Sequence, residues 1–205
     1  LAYRSGAALA QLHHSKLNTS DILTDESIEN AMITHAAFGG STNLVLHIPA
    51  IAHAAKLRRP NVSDWQRINA LVPRLVDSLP NGPVGYATAQ VFLAGGVPEV
   101  MLRLRDLKLL NLDVMTVSGK PLGDNLDWWE NSERRKRLQN KLVELDAIDP
   151  SNVIRDLGKG FPSTVTFPMG NLATEGSIVK STAIAPEVID NDGVYELQLR
   201  DTWQT

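Results

Sequence analysis

The residue types best suited to chemistry stand together in one short stretch, Gly39-Gly40-Ser41-Thr42-Asn43. Two glycines can stop a helix and reverse the chain, because glycine reaches left-handed backbone conformations at little steric cost. The hydroxyl and amide oxygens that follow can cap a second helix. A helix start offers free backbone N–H groups and a partial positive charge, so it can hold a carboxylate or a phosphate. On spacing alone, a turn with a helix cap is the commoner interpretation, and an anion-binding site is the alternative.

The histidines around this stretch lack the spacing of a metal site. His35 falls on the apolar face of the first helix, where a core histidine with satisfied hydrogen bonds is the commoner interpretation. His47 and His53 are six residues apart, so they do not share a helix face as ligands at i and i+4 would. We therefore predict no metal ligand among the histidines.

Two glycine-containing stretches invite a nucleotide-binding interpretation, and both fail on pattern. Gly119-Lys120 lacks the rest of a phosphate-binding loop, because the chain has Val114 and Pro121 where that loop needs glycine and a hydroxyl residue. Gly39-Gly40 follows a helix, whereas a dinucleotide fingerprint follows a strand. Nucleotide binding is therefore the weakest of the functional hypotheses.

Hydrophobic periodicity places a helix on each side of the central stretch. Apolar residues recur at helical spacing before the glycines, so a helix capped by Thr24 is predicted to run to about Phe38. From about residue 42 to residue 55 the chain is apolar almost all round, which predicts a buried helix. The central stretch is thus expected to connect two core helices.

Capping signals continue downstream. Ser63 with Gln66 predicts a capping box, and Ser132 is predicted to cap a helix whose basic run, Arg134–Arg137, faces solvent. Pro98 suits the first turn of a further helix. Short strands are predicted at 74–79 and 112–117.

The pattern changes after the glycines and proline of 156–162, where we place a domain boundary. The stretches that follow are β-like at 164–167, 177–181 and 194–199. We therefore predict an α/β fold, with a layered α/β domain over residues 1–160 and the beginning of a β-rich domain over residues 161–205.

Composition excludes several classes of protein. The 205 residues carry a net charge of −3, with no basic stretch suited to nucleic acid and no apolar run near the roughly 20 residues of a membrane helix. The chain has no cysteine, so no disulfide, thiol nucleophile or cysteine-ligated cluster can come from it. We expect no nucleic-acid or membrane partner and a cytoplasmic protein. Because the chain begins at Leu1 and stops after a strand-like run, we expect an internal fragment of a longer protein.

Several motifs occur in the order found in one known family. Besides the central glycine stretch, these are Ala94–Val100, Thr116–Leu122 and Gly170–Gly176 with Lys180. Together they resemble the dihydroxyacid and sugar-acid dehydratases, which include dihydroxy-acid, phosphogluconate and aldonate dehydratases. The finer sequence is most similar to the aldonate, D-xylonate-type enzymes, on the stretches His35–Phe38, Trp128-Trp129 and Lys180–Ile184. Thr174 departs from the family's usual proline.

The resemblance implies removal of water from a 2,3-dihydroxy acid, giving a 2-keto-3-deoxy acid. In this family a cysteine-ligated iron–sulfur cluster binds the leaving hydroxyl, and magnesium, held by carboxylates and a modified lysine, binds the carboxylate side. A serine takes the C2 proton. These motifs have no counterpart in this chain, so we predict no catalytic residue and no ligand to either cofactor here.

On the strength of the resemblance we predict Ser41, Thr42 and Asn43 as substrate-binding residues. The expected partner is a small sugar acid, and the complete protein is expected to be a homo-oligomer. The alternative is a non-catalytic scaffold or assembly module that kept the fold and lost the site.

Overall fold

The computed structural model describes residues 2–156, 158, 160, 161 and 163–184. Within them lie ten α-helices, one antiparallel pair of short strands and one 3-10 turn at Ser181–Ala183. The helices are α1 Ala2–Ser15, α2 Thr19–Ile22, α3 Asp25–Phe38, α4 Leu44–Ala54, α5 Val62–Leu71, α6 Thr88–Leu93, α7 Gly96–Asp106, α8 Leu122–Glu130, α9 Glu133–Asp146 and α10 Pro150–Val153. The strands are β1 Val165–Thr166 and β2 Val179–Lys180. No helix of the described part combines the length and apolar character needed to cross a membrane.

Helix α3 is the centre of the core and packs against α4, α5 and α7. Its start is the predicted one: the Thr24 hydroxyl accepts from the Ser27 N–H at 3.2 Å, and the Ser27 hydroxyl accepts from the Thr24 N–H at 2.9 Å. These reciprocal bonds satisfy two backbone groups that a helix end would otherwise leave free. Its buried face carries mostly apolar side chains: Ile28, Met32, Ile33, Ala36 and Ala37.

The described residues are mostly helical, which only partly matches the predicted layered α/β domain. Strand 74–79 does not form, because its residues bridge to three separate segments: Arg74 to Phe161, Val76 to Ile154 and Ser78 to Tyr86. Strand 112–117 is reduced to a single bridge, since the chain reverses and its partner residue is Pro121, which has no N–H.

After residue 160, the predicted β-like stretches give only the pair β1 and β2, in the register Val165 to Lys180 and Thr166 to Val179. Strand β1 lies against α5, where Gln66 Nε2 donates to the Phe167 carbonyl. The stretch 194–199 lies outside the described residues. The β-rich domain and its boundary therefore stay predictions.

Helix α4 is less buried than its composition predicts. Ile48 and Ala52 are buried, whereas Leu46 is 71% exposed and Ile51 is 45% exposed. The physical reason is that α4 packs on α3 with one face only, so the apolar outer face has no cover within the described part of the chain. The helix also begins at Leu44, two residues later than predicted.

The cap of α5 was predicted two residues too late. Asn61 is the capping residue: its side-chain oxygen accepts from the Asp64 N–H at 3.2 Å, and the Asp64 carboxylate accepts from the Asn61 N–H at 2.9 Å. Arg58 also pairs with Asp64 at 2.8 Å, which fixes the carboxylate at the third helical position. The Ser63–Gln66 pair is therefore inside the helix, and Gln66 is free to bond Phe167.

The observed cap predicts a difference between two alanine variants. Asn61→Ala should lower the free energy of unfolding by about 1 kcal/mol, because the Asp64 N–H loses its acceptor. Ser63→Ala should change it by less than about 0.5 kcal/mol, since Ser63 is an exposed helix residue. Urea denaturation of both variants measures the two values. A larger loss for Ser63→Ala would restore the capping box predicted from the sequence.

A buried carboxylate joins α7, α8 and α9. Glu99 is 1% exposed and accepts from Arg135 at 2.6 and 2.7 Å and from Trp129 Nε1 at 3.3 Å. Arg103 lies 3.3 Å from the same carboxylate. The basic run was predicted to face solvent, and for Arg135 this is wrong. Its position on α9 points it at α7, and hydrogen bonding to Glu99 raises the pKa of Arg135.

Candidate functional site

The two glycines of the central stretch end α3 as predicted. Gly39 has φ +64°, a left-handed conformation that side chains other than glycine adopt at a cost. The N–H groups of Gly39 and Gly40 donate to the carbonyls of Ala36 and His35, each at 3.1 Å. This reversal satisfies carbonyls at the end of the helix and turns the chain directly into the start of α4.

Close packing is a second reason for glycine at both positions. A Cβ at Gly39 would lie 2.5 Å from Arg74 Cδ and 3.0 Å from Thr164 Cγ2. A Cβ at Gly40 would lie 2.3 Å from His35 Cδ2. Both distances are shorter than van der Waals contact. Any residue larger than glycine would therefore push the neighbouring side chains away from the backbone of this turn.

Ser41, Thr42 and Asn43 form a tight turn at the start of α4. Ser41 and Asn43 are exposed and Thr42 is partly exposed. The N–H groups of Leu44, Val45 and Leu46 donate to the carbonyls of residues 41, 42 and 43 at 3.0 to 3.1 Å.

The side-chain cap predicted for this start takes another form. Asn43 stands at the capping position in a helical conformation and makes no capping hydrogen bond. The Ser41 hydroxyl instead accepts from the Asn43 N–H at 3.2 Å, because the turn brings these two groups together. Among the described residues the Thr42 N–H and hydroxyl have no partner, and neither do the Ser41 N–H and the Asn43 side-chain amide, so these polar groups of the turn are available to a ligand.

His35 contacts the turn from inside the core. The residue is 5% exposed, as predicted for a core histidine, and its Nε2 lies 2.9 Å from the Ser41 carbonyl oxygen. Its ring meets Trp65 edge-on, with ring centroids 5.4 Å apart, and Trp65 stacks on Phe167. Burial lowers the pKa of His35. Nδ1 has no partner within the described part of the chain, so the prediction that the hydrogen bonds of this histidine are satisfied is wrong for Nδ1. The sequence did not predict its bond to the turn.

A mostly apolar cleft of about 660 Å³ opens beside the turn. His35, Gly40 and Leu44 are among its lining residues, together with Met101 and residues 114–117. Ser41, Thr42 and Asn43 are not among its lining residues. The predicted substrate-binding residues thus lie next to each other just before the start of α4, and the residues that flank them, Gly40 and Leu44, line the cleft.

Arg74 and Asn81 support the turn from behind, and the sequence pattern did not single them out. Arg74, which is buried, donates to the Asn81 carbonyl at 2.6 Å and lies over the Phe161 ring, 4.5 Å from its centroid. The Asn81 amide donates to the Gly39 carbonyl at 2.7 Å and accepts from the Thr182 hydroxyl at 3.1 Å. An arginine inside the apolar run 72–76 was the available signal.

The residues present do not supply the cofactor ligands that the resemblance implies. The chain has no cysteine for an iron–sulfur cluster. In the part of the chain that the structure describes, no three His, Asp or Glu side chains group as a metal site.

His35 is expected to make stability fall in mild acid. Folding lowers its pKa below the usual 6.5, so the unfolded chain binds more protons once the pH falls below about that value. Stability should be fully present above the unfolded-state pKa. It should then fall by at most about 1.4 kcal/mol per pH unit as the pH approaches the lower folded-state pKa. Urea titrations of wild type and His35→Gln from about pH 7.5 to about pH 5 isolate this slope, since the other histidines are common to both. Parallel profiles would contradict it.

The sequence of this chain is similar to one family model and to several known proteins. Residues 1–125 match the model of the dihydroxy-acid/6-phosphogluconate dehydratase N-terminal family. The chain is 57% identical to D-xylonate dehydratase YagF of Escherichia coli over 199 residues, which are 95% of this chain and 30% of the relative. It is 56% identical to D-xylonate dehydratase YjhG of the same organism, with the same coverage.

A more distant relative is the dihydroxy-acid dehydratase of Picrophilus torridus, 35% identical over 89% of this chain and 30% of the relative. The chain thus spans about 30% of the length of these curated relatives. The family match covers more than half of the chain and includes the whole turn from Gly39 to Asn43. This chain therefore belongs to the dihydroxy-acid/6-phosphogluconate dehydratase family.

Proposed function

We propose that the complete protein is a hydro-lyase that dehydrates an aldonate such as D-xylonate, and that this chain is one part of it. The observation that carries the proposal is the 57% identity to a D-xylonate dehydratase over 95% of the chain. The identity to a dihydroxy-acid dehydratase is lower, 35%. This difference favours a sugar acid as the substrate over a branched dihydroxy acid.

The proposed reaction removes one molecule of water from a 2,3-dihydroxy acid. C2 loses a proton, C3 loses hydroxide, and the resulting enol tautomerises to the 2-keto-3-deoxy acid. A dehydratase family supports a metal cofactor in general, and we propose that an iron–sulfur cluster and magnesium are held by parts of the complete protein other than this chain. We also propose the domain division at 160/161, with the layered α/β domain before it and the β-rich domain after it.

Within this chain we propose Ser41, Thr42 and Asn43 as substrate-binding residues. The Thr42 N–H and hydroxyl have no partner among the described residues, and both can donate to a carboxylate or hydroxyl oxygen. The positive end of α4 lies at the same place and favours a negatively charged group. Its first-turn amides already bond the carbonyls of residues 41–43, so the support comes from Thr42 more than from the helix start.

The functional proposal is tested by assaying the complete enzyme and the isolated 205-residue chain side by side. The complete enzyme, loaded with its cofactors, should form keto acid from D-xylonate. The isolated chain should form none, because it has no cysteine to hold a cluster. A cofactor-loaded complete enzyme that leaves every aldonate unchanged would refute the proposal.

The site proposal is tested by Thr42→Ala in the complete enzyme, with Thr88→Ala, at an exposed position of α6, as the matched control. Because the Thr42 hydroxyl caps nothing in the described structure, the melting temperature should stay within about 2 °C of wild type. Loss of a hydrogen bond worth about 1.4 kcal/mol in the transition state should lower kcat/KM about tenfold. Unchanged kinetics in the folded variant would remove Thr42 from the site.

A further inference from the structure

We propose that His35 is a positioning residue, whose neutral imidazole fixes the Ser41 carbonyl and thereby the orientation of the Ser41–Asn43 turn toward substrate. This inference rests on the proposed function, because it assumes that the Ser41–Asn43 turn binds substrate. Its basis is that His35 contacts the turn through both its backbone and its side chain. The His35 carbonyl accepts from the Gly40 N–H at 3.1 Å, and its Nε2 lies 2.9 Å from the Ser41 oxygen.

The Ser41 carbonyl accepts the first hydrogen bond of the turn that leads into α4, so its placement influences the direction in which the helix starts. It accepts from the Leu44 N–H at 3.1 Å and from His35 Nε2. A carbonyl oxygen has two lone pairs, and here both have a donor. The Leu44 bond lies within the turn and moves with it. The His35 bond comes from α3 and holds the turn against the core.

The acceptor determines the tautomer of the neutral ring. A carbonyl oxygen only accepts, so Nε2 must carry the hydrogen and Nδ1 carries a lone pair in the neutral form. Nδ1 is buried and has no partner within the described residues. A proton on Nδ1 would therefore be a buried donor without an acceptor, which disfavours the charged imidazolium.

Contacts on two sides hold the ring in place. The backbone of Gly40 approaches one side so closely that a Cβ there would lie 2.3 Å from His35 Cδ2. Trp65 meets the ring edge-on, and Trp65 is itself stacked on Phe167. These contacts leave the His35 side chain little rotamer freedom. Its hydrogen bond to Ser41 therefore holds the turn in a fixed position relative to α3. The ring also lines the cleft, as do Gly40 and Leu44, the residues that flank the proposed substrate-binding turn.

The test compares His35→Gln with His35→Leu. The glutamine amide can reach roughly the position of Nε2 and keep the donor to Ser41, whereas leucine fills the apolar site without one. The first readout is hydrogen exchange of the Leu44, Val45 and Leu46 amides in the 205-residue chain. We expect exchange about tenfold faster in His35→Leu and close to wild type in His35→Gln. The second readout is kinetics of the complete enzyme with D-xylonate, at a temperature where every variant is folded. We expect kcat/KM about tenfold lower for His35→Leu and within about threefold of wild type for His35→Gln.

The outcomes separate this role from the proposed function. Unchanged exchange in His35→Leu, or equal losses in both variants, would overturn the positioning role because the donor would then not matter. Faster exchange with unchanged kcat/KM would overturn it too, while leaving the dehydratase function intact. A cofactor-loaded wild-type enzyme without dehydratase activity would overturn the proposed function and this role together.

Discussion

Glu99→Ala is expected to lower the free energy of unfolding by about 3 kcal/mol. Breaking a buried ion pair costs roughly 3–5 kcal/mol, because the remaining charge stays buried without a partner. Arg103 keeps its pair with Asp156 at 3.1 Å, and the side chain of Arg135 is 23% exposed, so water can partly compensate its charge and the loss falls at the lower end of that range. Trp129 Nε1 also loses its acceptor.

The control for this variant is Glu130→Ala. Glu130 pairs with Arg105 at 2.9 Å, but its side chain is 47% exposed, and exposed ion pairs contribute about 0–1 kcal/mol. Urea denaturation of both variants at neutral pH measures the difference. If Glu99→Ala cost no more than Glu130→Ala, the carboxylate would not hold α7, α8 and α9 together.

Gly39→Ala is expected to lower the free energy of unfolding by roughly 2–5 kcal/mol for two separate reasons. A left-handed conformation costs a residue with a Cβ about 1–2 kcal/mol. Overpacking against Arg74 and Thr164 adds about 1–3 kcal/mol, because the new methyl group would lie 2.5 Å from Arg74 Cδ.

Gly119→Ala separates the two contributions. Gly119 has φ +74°, and a Cβ there would meet nothing within 4 Å, so only the backbone cost of about 1–2 kcal/mol applies. The difference between the two variants, measured by urea denaturation, is the packing contribution at Gly39. Equal losses would mean that Arg74 and Thr164 move aside freely and that the turn is not held by close packing.

Local signals predicted the centre of the fold well. The cap at Thr24, the end of α3 before Gly39 and the cap at Ser132 are all as predicted. Each depends on residues within one or two helical turns, where capping and backbone preference decide the structure. The core position of His35 also follows from helical periodicity.

Long-range contacts account for what the sequence could not predict. The bond of Asn81 to Gly39 joins residues 42 positions apart, and Arg135 reaches Glu99 across 36 positions. The apolar composition of α4 predicted a buried helix. Burial also depends on which other elements pack on the helix, and α3 covers only one face of α4. At the candidate site, the sequence indicated the turn but not its supporting side chains, since these come from separate segments of the chain.

The central claim, that this chain serves in aldonate dehydration, is tested most directly by a segment exchange. Residues 2–184 replace the corresponding segment of D-xylonate dehydratase YagF, and a matched hybrid carries the segment of YjhG, which is similar to this chain at 56% identity. Both hybrids are loaded with cofactors and assayed for keto acid from D-xylonate. We expect the hybrid with this chain to turn over D-xylonate within about tenfold of the YjhG hybrid, a difference of about 1.4 kcal/mol in barrier height. A folded, cofactor-loaded hybrid that is inactive while the YjhG hybrid is active would contradict the claim.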